Sequence, residues 1–288
     1  MVVQVSLDTA SLNNFQQYMW SFNFQKMRIG FLYGHFNEDG SVKVEFIYEP
    51  PQNTTECSFE LLEEEEEASR VEFLAGLLGV KRVGWLVLHP PREQFFHLTG
   101  LEVLTAAELQ LEAAQGVNDT SFVTVKVTLT PEDEVDVYAC QVSKQCMEMA
   151  AEGALEISKH PGNCHINDTF TVKVELKVTD EVSTNFFMAN VPIAQHDSTE
   201  FVSFFPRPHR TGQAPGGQAD LRAQLERAGS QGWTLLDVLS DFHLLLFLAS
   251  SFLDLQQDMP KICQSLRDRS IPLDEGYSLL LRSIAGMD

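Results

Sequence analysis

Apolar and polar positions divide this chain into short, well-separated elements. Val2 to Leu7 alternates as a strand does. Asp8 or Ser11 can then cap a helix on which Leu12, Phe15, Met19 and Phe22 recur at three- and four-residue steps and so share one face. Trp20 lies beside that face, which fits a half-exposed residue and a second core contact equally well. Met27 to Phe36 and Val42 to Tyr48 predict a hairpin over the Asp39-Gly40 turn. Pro50-Pro51 end it, because proline brings no N–H to a ladder. Glu60 to Leu78 predicts a helix. The acidic run from Glu63 to Glu67 suits its positive, solvated start, Val71, Leu74, Leu77 and Leu78 form its buried face, and Gly79 stops it.

Val83 to His89 is apolar on both faces and predicts a central strand that ends in Pro90-Pro91. The aromatic pair Phe95-Phe96 follows in a loop. Thr99 to Gln115 predicts a helix, with Thr105-x-x-Glu108 as its cap. Phe122 to Leu129 and Glu134 to Val142 predict a hairpin, Ser143 to Ala151 a short helix and Leu155 to Ile157 a strand. The turn cluster His160-Pro-Gly-Asn-Cys164 marks a domain edge. Phe170 to Val178 reads as one strand, Phe186 to Ile193 and Phe201 to Phe205 as extended, and 206–220, rich in Pro, Gly and Gln, as flexible. The remainder is helical: Leu221 to Ala228, then a strongly apolar helix from Leu235 to Gln257 opened by Thr234-x-x-Asp237, then 260–269 and 274–285. The pattern predicts an α/β (α+β) chain with one domain over 1–158 and a second, mixed domain over 159–288 that ends in a helical cluster.

Composition narrows the function. An apolar fraction of 44% with 20 phenylalanines is that of an ordinary globular protein. A net charge of -21 argues against nucleic acid and against anionic membrane surfaces, and suits basic or mixed-charge partners or simple solubility. Five cysteines (Cys57, Cys140, Cys146, Cys164, Cys263) form no Cys-x-x-Cys pair and read as reduced thiols, small apolar residues of a cytosolic or nuclear protein. The N-terminus lacks a basic n-region, so the Asn-x-Thr sequons at Asn53, Asn118 and Asn167 read as chance matches. The longest apolar stretch, 235–255, is interrupted by Asp237, Asp241, His243 and Asp254 and is no membrane span.

Chemistry, if any, belongs at the end of the central strand. Val83-Gly-Trp-Leu-Val-Leu-His-Pro-Pro91 resembles the Gly-Trp-x-His-x-His-Pro strand of JAMM-type metallopeptidases. Such an enzyme holds zinc with two histidines and an aspartate and uses a glutamate as base. Here Gly84, Trp85, His89 and Pro90 fit, but Val87 stands at the first histidine. The glutamate position, three residues before Gly30, is Met27, and the following Ser-x-x-Asp falls on His97 and Gly100. One ligand of three remains and the base is missing, so His89 reads as a hydrogen-bonded strand-end residue. No catalytic residue, metal or cofactor is expected. There is no Gly-x-Ser-x-Gly elbow and no phosphate or dinucleotide loop. Asp241 and His243, two residues apart, point to different helix faces and suit capping or a buried polar contact.

Five strings occur in one order over nearly the whole chain: Gly30-Phe-Leu-Tyr-Gly34, Ile47-Tyr-Glu-Pro-Pro-Gln52, Leu78-Gly-Val-Lys-Arg-Val-Gly-Trp85, Gln141-Val-Ser-Lys-Gln-Cys-Met147 and Leu239-Ser-Asp-Phe-His-Leu-Leu-Leu-Phe-Leu248. Together they resemble the nuclear protein localization protein 4 family. The resemblance implies a metal-free MPN-type domain followed by the family's C-terminal domain. It also implies a non-catalytic adaptor, cytoplasmic and nuclear, that acts with ubiquitin-fusion-degradation protein 1 and brings polyubiquitinated substrates to the valosin-containing AAA ATPase. A groove on this tower would hold an unfolded ubiquitin segment. Trp20 precedes the Gly-Phe-Leu-Tyr-Gly strand at about the spacing of the family's groove tryptophan, one residue longer, and is the groove candidate. Family members begin with a ubiquitin-like domain and two zinc-finger elements, and animal members end in a small ubiquitin-binding finger. This sequence opens at the MPN-type part and lacks the cysteines for those fingers; if Met1 is the true start, the resemblance implies an adaptor whose direct docking on the ATPase is in doubt, and otherwise the sequence is a piece of a longer one. Two other readings are an architectural, inactive MPN subunit of a larger assembly and a JAMM-like isopeptidase with unusual ligands.

Overall fold

The computed structural model describes residues 1–62, 64–92, 96–174 and 176–287. Glu63, the first residue of the acidic run, and Phe95 of the aromatic pair lie outside the described residues. The first half runs β1 (Val5–Asp8), α1 (Thr9–Trp20), β2 (Arg28–Phe36), β3 (Val42–Tyr48), β4 (Gln52–Thr54), β5 (Phe59–Leu61), α2 (Glu65–Leu78), β6 (Lys81–Leu88), α3 (Gly100–Ala114), β7 (Val123–Leu129), β8 (Val135–Val142) and α4 (Lys144–Ala151). There follow β9 (Leu155–Ile157), β10 (Asn163–Ile166), β11 (Val172–Val174), β12 (Lys177–Thr179), β13 (Glu181–Ser183), a 3-10 turn over Thr184–Phe187, β14 (Met188–Asn190) and β15 (Ile193–His196). The chain ends in α5 (Gln218–Gln231), α6 (Leu235–Leu239), α7 (Phe242–Ser251), α8 (Met259–Arg267) and α9 (Glu275–Ile284).

The fold is α+β around a mixed eight-stranded sheet of order β14-β8-β7-β6-β2-β3-β1-β15. β6 is central, as its two-sided apolar pattern predicts, antiparallel to β2 and parallel to β7. The edge strands β14 and β15 lie only two residues apart in the chain, so the sheet curls to bring its ends round to one another. Gly84 permits the β6–β7 approach: a Cβ there would meet the Val123 carbonyl at 2.5 Å. Beside it the Trp85 indole N–H donates to Thr124 Oγ1 at 2.8 Å, which satisfies a fully buried polar atom.

Three apolar clusters pack on this sheet. α1 supplies Leu12, Phe15 and Met19 to the first, with Val5, Val44, Leu86 and Val125. α3 and α4 cover a second that contains Met27, Ile29, Trp85 and Val87. In the third, Tyr33, Phe46 and Tyr48 meet α2 and the C-terminal helices, with Phe242 stacked 4.3 Å from Phe46. Cys140, Cys146, Cys164 and Cys263 are buried free thiols, and burial pushes the Cys140 and Cys164 thiols up to about 12. No described helix is long and apolar enough to cross a membrane.

Several local expectations need correction. Phe59–Leu61 is a strand paired with Gln52–Thr54, so the helix predicted from Glu60 begins at Glu65. The cap of α3 is Thr99, which forms a full capping box with Glu102, and not the Thr105/Glu108 pair. The strand predicted over Phe170 to Val178 is instead a hairpin, β11 against β12, with Leu176 at φ 68° in its turn. The long helix predicted from Leu235 breaks after Leu239. Asp241 takes an extended conformation and caps α7, its carboxylate accepting from the His243, Phe204 and Phe205 N–H groups. Thr234 and Asp237 form the expected capping box.

The division at 158/159 falls in the turn between β9 and β10, which pair. The second part also supplies both edge strands of the main sheet and most of the third cluster. Within 206–220, Arg207 and Arg210 are buried.

Candidate functional site

Two of the five strings meet at one groove. Tyr33 and Phe31, from Gly30-Phe-Leu-Tyr-Gly34, and Tyr48, Pro50 and Pro51, from Ile47-Tyr-Glu-Pro-Pro-Gln52, line one groove of about 600 Å³ against α2. The Tyr33 and Tyr48 hydroxyls donate to Glu72 and Glu67 at 2.6 and 2.5 Å. Burial, reinforced by those carboxylates, pushes both phenols well above their ordinary range, so they remain donors. Gln52 accepts from the Ile29 N–H and donates to its C=O, both at 2.8 Å, and so carries the β2 ladder past its end.

Glu49, between Tyr48 and Pro50, is 1% exposed. Arg28 Nε donates to its Oε2 at 2.8 Å and Arg210 Nε to its Oε1 at 2.9 Å. Burial alone would raise the Glu49 carboxyl, but the Arg210 and Arg28 guanidinium groups outweigh it and hold it below the usual range. Both guanidinium groups also lie over the Tyr18 ring, Arg210 at 4.5 Å and Arg28 at 5.4 Å from its centroid. This triad fastens the stretch around residue 210 to the root of β3 and to α1.

The five positions equivalent to a JAMM site do not form a ligand set. Met27 and Val87 lie buried in one apolar cluster with Ile29 and Trp85. Gly100 opens α3 so close to β10 that a Cβ would meet the Asn163 carbonyl at 2.6 Å. His97 stacks on Tyr138 with ring centroids 4.0 Å apart. His89 is buried at the end of β6, its Nδ1 2.6 Å from the Pro90 carbonyl oxygen and its Nε2 without a hydrogen bond. Burial, helped by the nearby Arg92 charge and opposed by Glu102, lowers its pKa to about 4.

Arg92 and Glu102 were not singled out in the sequence, and they decide the character of this place. Glu102 is fully buried and accepts a two-pronged ion pair from Arg92, with Nη1 to Oε2 at 2.9 Å. It also accepts from the Thr99 N–H at 2.8 Å. Burial would raise its carboxyl, but Arg92 more than offsets this and holds it below the usual range. Thr99-x-x-Glu102 ahead of an apolar run was the signal that could have found it. The charges beside His89 are therefore a closed ion pair, and its carboxylate is already taken by Arg92 and the Thr99 N–H. With Met27, Val87 and Gly100 at three of those positions, the residues present do not fit a catalytic zinc ion. Beside them, Pro90, Arg92, Phe96, Leu101 and Ile157 border an open cleft of about 580 Å³.

Trp20, the last residue of α1, is 43% exposed. The chain then turns through Asn23 and Phe24, both at positive φ (50° and 53°), and the Phe24 N–H returns to the Met19 carbonyl at 3.1 Å. This puts the buried Phe24 ring edge-on beneath the indole, centroids 4.9 Å apart. One indole surface rests on the core and the rest faces solvent, an arrangement suited to an extended apolar ligand.

Comparison with known proteins bears out the family resemblance. Residues 28–183 match the model of a family described as the NPL4 family. NPL4-like protein 2 of Arabidopsis thaliana is 36% identical over 98% of this chain, which spans 68% of that protein. The nuclear protein localization protein 4 homolog of Dictyostelium discoideum is 34% identical over 94% of the chain, which spans 45% of it. The human nuclear protein localization protein 4 homolog is 26% identical over 86% of the chain, which spans 48% of it.

Proposed function

The chain belongs to the NPL4 family, and on that premise we propose that it is a non-catalytic adaptor for ubiquitinated substrates. In this reading it acts in the cytoplasm and nucleus with ubiquitin-fusion-degradation protein 1, and hands polyubiquitinated chains to the valosin-containing AAA ATPase. It binds and does not cleave. The observation that carries the reading is the filling of the JAMM-equivalent place. Met27 and Val87 are core residues there, and Arg92 neutralises Glu102 beside a His89 that burial keeps uncharged at neutral pH.

The half-exposed Trp20 and the groove lined by Tyr33, Tyr48 and Pro50 supply apolar surface for an extended chain. An unfolded ubiquitin segment presents alternating side chains that such surfaces can accept.

The experiment is a pulldown of the purified chain with polyubiquitin and with ubiquitin-fusion-degradation protein 1. Retention of both supports the adaptor. Loss of both, with the fold intact by circular dichroism, refutes it. Assembly into a larger particle with neither bound returns the chain to an architectural role. Chelator-sensitive cleavage of ubiquitin chains would make it an isopeptidase.

A further inference from the structure

At the far end of β2 from Met27, roughly 25 Å away at ~3.3 Å per residue, another group of ligating side chains converges. The β2–β3 register jumps from Tyr33 opposite Phe46 to Gly34 opposite Val44, which leaves Glu45 as the extra residue of a bulge. Bulges re-aim side chains, and this one turns a carboxylate fully inward. Around it stand His35 near the end of β2, His196 at the end of β15, and Glu200 in the loop beyond.

The spacings resemble those of ligands about an ion. One ligand atom each from His35, Glu45 and Glu200 lie within 4.8 Å of one another. His35 Nε2 is 3.7 Å from Glu200 Oε2, and His196 Nε2 is 3.8 Å from Glu45 Oε2. Four nitrogen and oxygen ligands about 2.0–2.1 Å from a tetrahedral zinc stand ~3.3–3.4 Å apart, so His35, Glu45 and Glu200 close by a small inward movement, and His196, outside that 4.8 Å set but 3.8 Å from Glu45, must swing further in to complete it.

The two imidazole nitrogens at its centre lack other uses. His35 Nε2 and His196 Nε2 are both buried without a hydrogen-bond partner. The second ring is already oriented, since its Nδ1 pairs with the Ser6 hydroxyl at 2.8 Å and leaves Nε2 toward Glu45. The Ser198 hydroxyl donates to Glu45 Oε2 at 2.5 Å, in the manner of an outer support. Glu45 Oε1 accepts no hydrogen bond of good geometry but has the Lys43 ammonium 2.6 Å away. Lys43 is a flexible side chain, partly exposed, and can withdraw to solvent when another cation arrives.

We propose that His35, Glu45, His196 and Glu200 form a structural site for one divalent transition-metal ion, with zinc the preferred occupant. Two imidazoles and two carboxylates suit zinc and its neighbours better than calcium or magnesium, which take oxygen ligands. Four protein ligands leave no open position for a reacting water, so the site is structural. Bound metal would add to the Ser198–Glu45 hydrogen bond a direct link from the 196–200 stretch to both β2 and β3.

The test uses the full chain stripped with chelator, then titrated with Zn²⁺ and, for a visible signal, with Co²⁺. The expected result is one zinc per chain by elemental analysis, a four-coordinate cobalt spectrum, and a higher melting temperature with zinc. The His35→Ala/Glu200→Gln double variant changes partly exposed residues and should lower affinity at least tenfold while keeping the apo fold. Lys43→Met removes the competing cation and should tighten binding. His89→Ala should leave zinc affinity unchanged. Failure to take up stoichiometric zinc at micromolar concentration overturns the proposal, as does equal affinity in wild type and double variant. If the double variant misfolds, Lys43→Met decides: unchanged or weaker zinc binding overturns the site.

Discussion

Replacing Glu49 with glutamine should separate a structural charge from a decorative one. The wild-type carboxylate lies 2.8 Å from Arg28 Nε and 2.9 Å from Arg210 Nε, with all three residues buried. Glutamine keeps the shape but removes the charge and turns an amide N–H₂ toward one guanidinium, donor against donor. Unit charges ~4 Å apart interact by about 4 kcal/mol at an effective dielectric of 20, and breaking a buried pair by removing one partner costs about 3–5 kcal/mol. At about 2 °C per kcal/mol for a chain of this size, Glu49→Gln should melt about 6–10 °C below wild type. Trypsin should also cut after Arg210 faster in the variant, because that residue loses its anchor. The acid limb gives an independent check. Because the folded carboxyl is held below its unfolded value, its stabilisation is complete above the unfolded pKa, about 4.3, and is lost as pH falls through the folded one. The gap between variant and wild type should therefore shrink below about pH 4. A cost under about 1 kcal/mol, or a gap that does not change on acidification, would refute the reasoning.

Trp20→Ala should weaken polyubiquitin capture while costing about 2 kcal/mol, roughly half the 3–5 kcal/mol of a fully buried tryptophan, since the side chain is 43% exposed; a loss of about 4 kcal/mol or more in denaturant melts would return Trp20 to the core. His89 has a folded pKa of about 4 against about 6.5 unfolded, so its neutral burial stabilises fully above pH 6.5 and is lost progressively down to about pH 4. His89→Gln should flatten that part of the stability–pH curve by up to about 3 kcal/mol, and an unchanged curve would show that His89 does not titrate as described. Gly84→Ala drives a Cβ into the Val123 carbonyl and should cost about 3 kcal/mol or more by splaying β6 from β7; wild-type stability in a urea melt would contradict that packing.

The central strand, the two hairpins and the first helix were legible because each carries its own period and its own stop. Trp20 was legible only as a position beside an apolar face. Its exposure depends on Asn23 and Phe24 turning at positive φ, which neither residue type announces. The long apolar helix from Leu235 was misread for a related reason. Leu, Phe and Ala continue the helical pattern through Asp241, but that carboxylate finds more N–H donors from residues 204 and 205 than any helix interior offers. Glu102 was passed over for Glu108 because both follow a threonine by three, and only burial beside Arg92 distinguishes them. Least legible was the ring about Glu45, since a bulge and a strand some 150 residues away put its members together.

The closeness of β14 and β15 in the chain has a mechanical consequence. An open sheet yields to a pull by peeling, one edge strand at a time. Here the two edges are consecutive strands joined by Val191 and Pro192, like the two ends of a belt held by one buckle. Neither edge can lift away without drawing the other after it, and Val191 is itself fixed by its N–H to the Ala139 carbonyl at 2.9 Å. The buckle must therefore open before the sheet can unwind from either side.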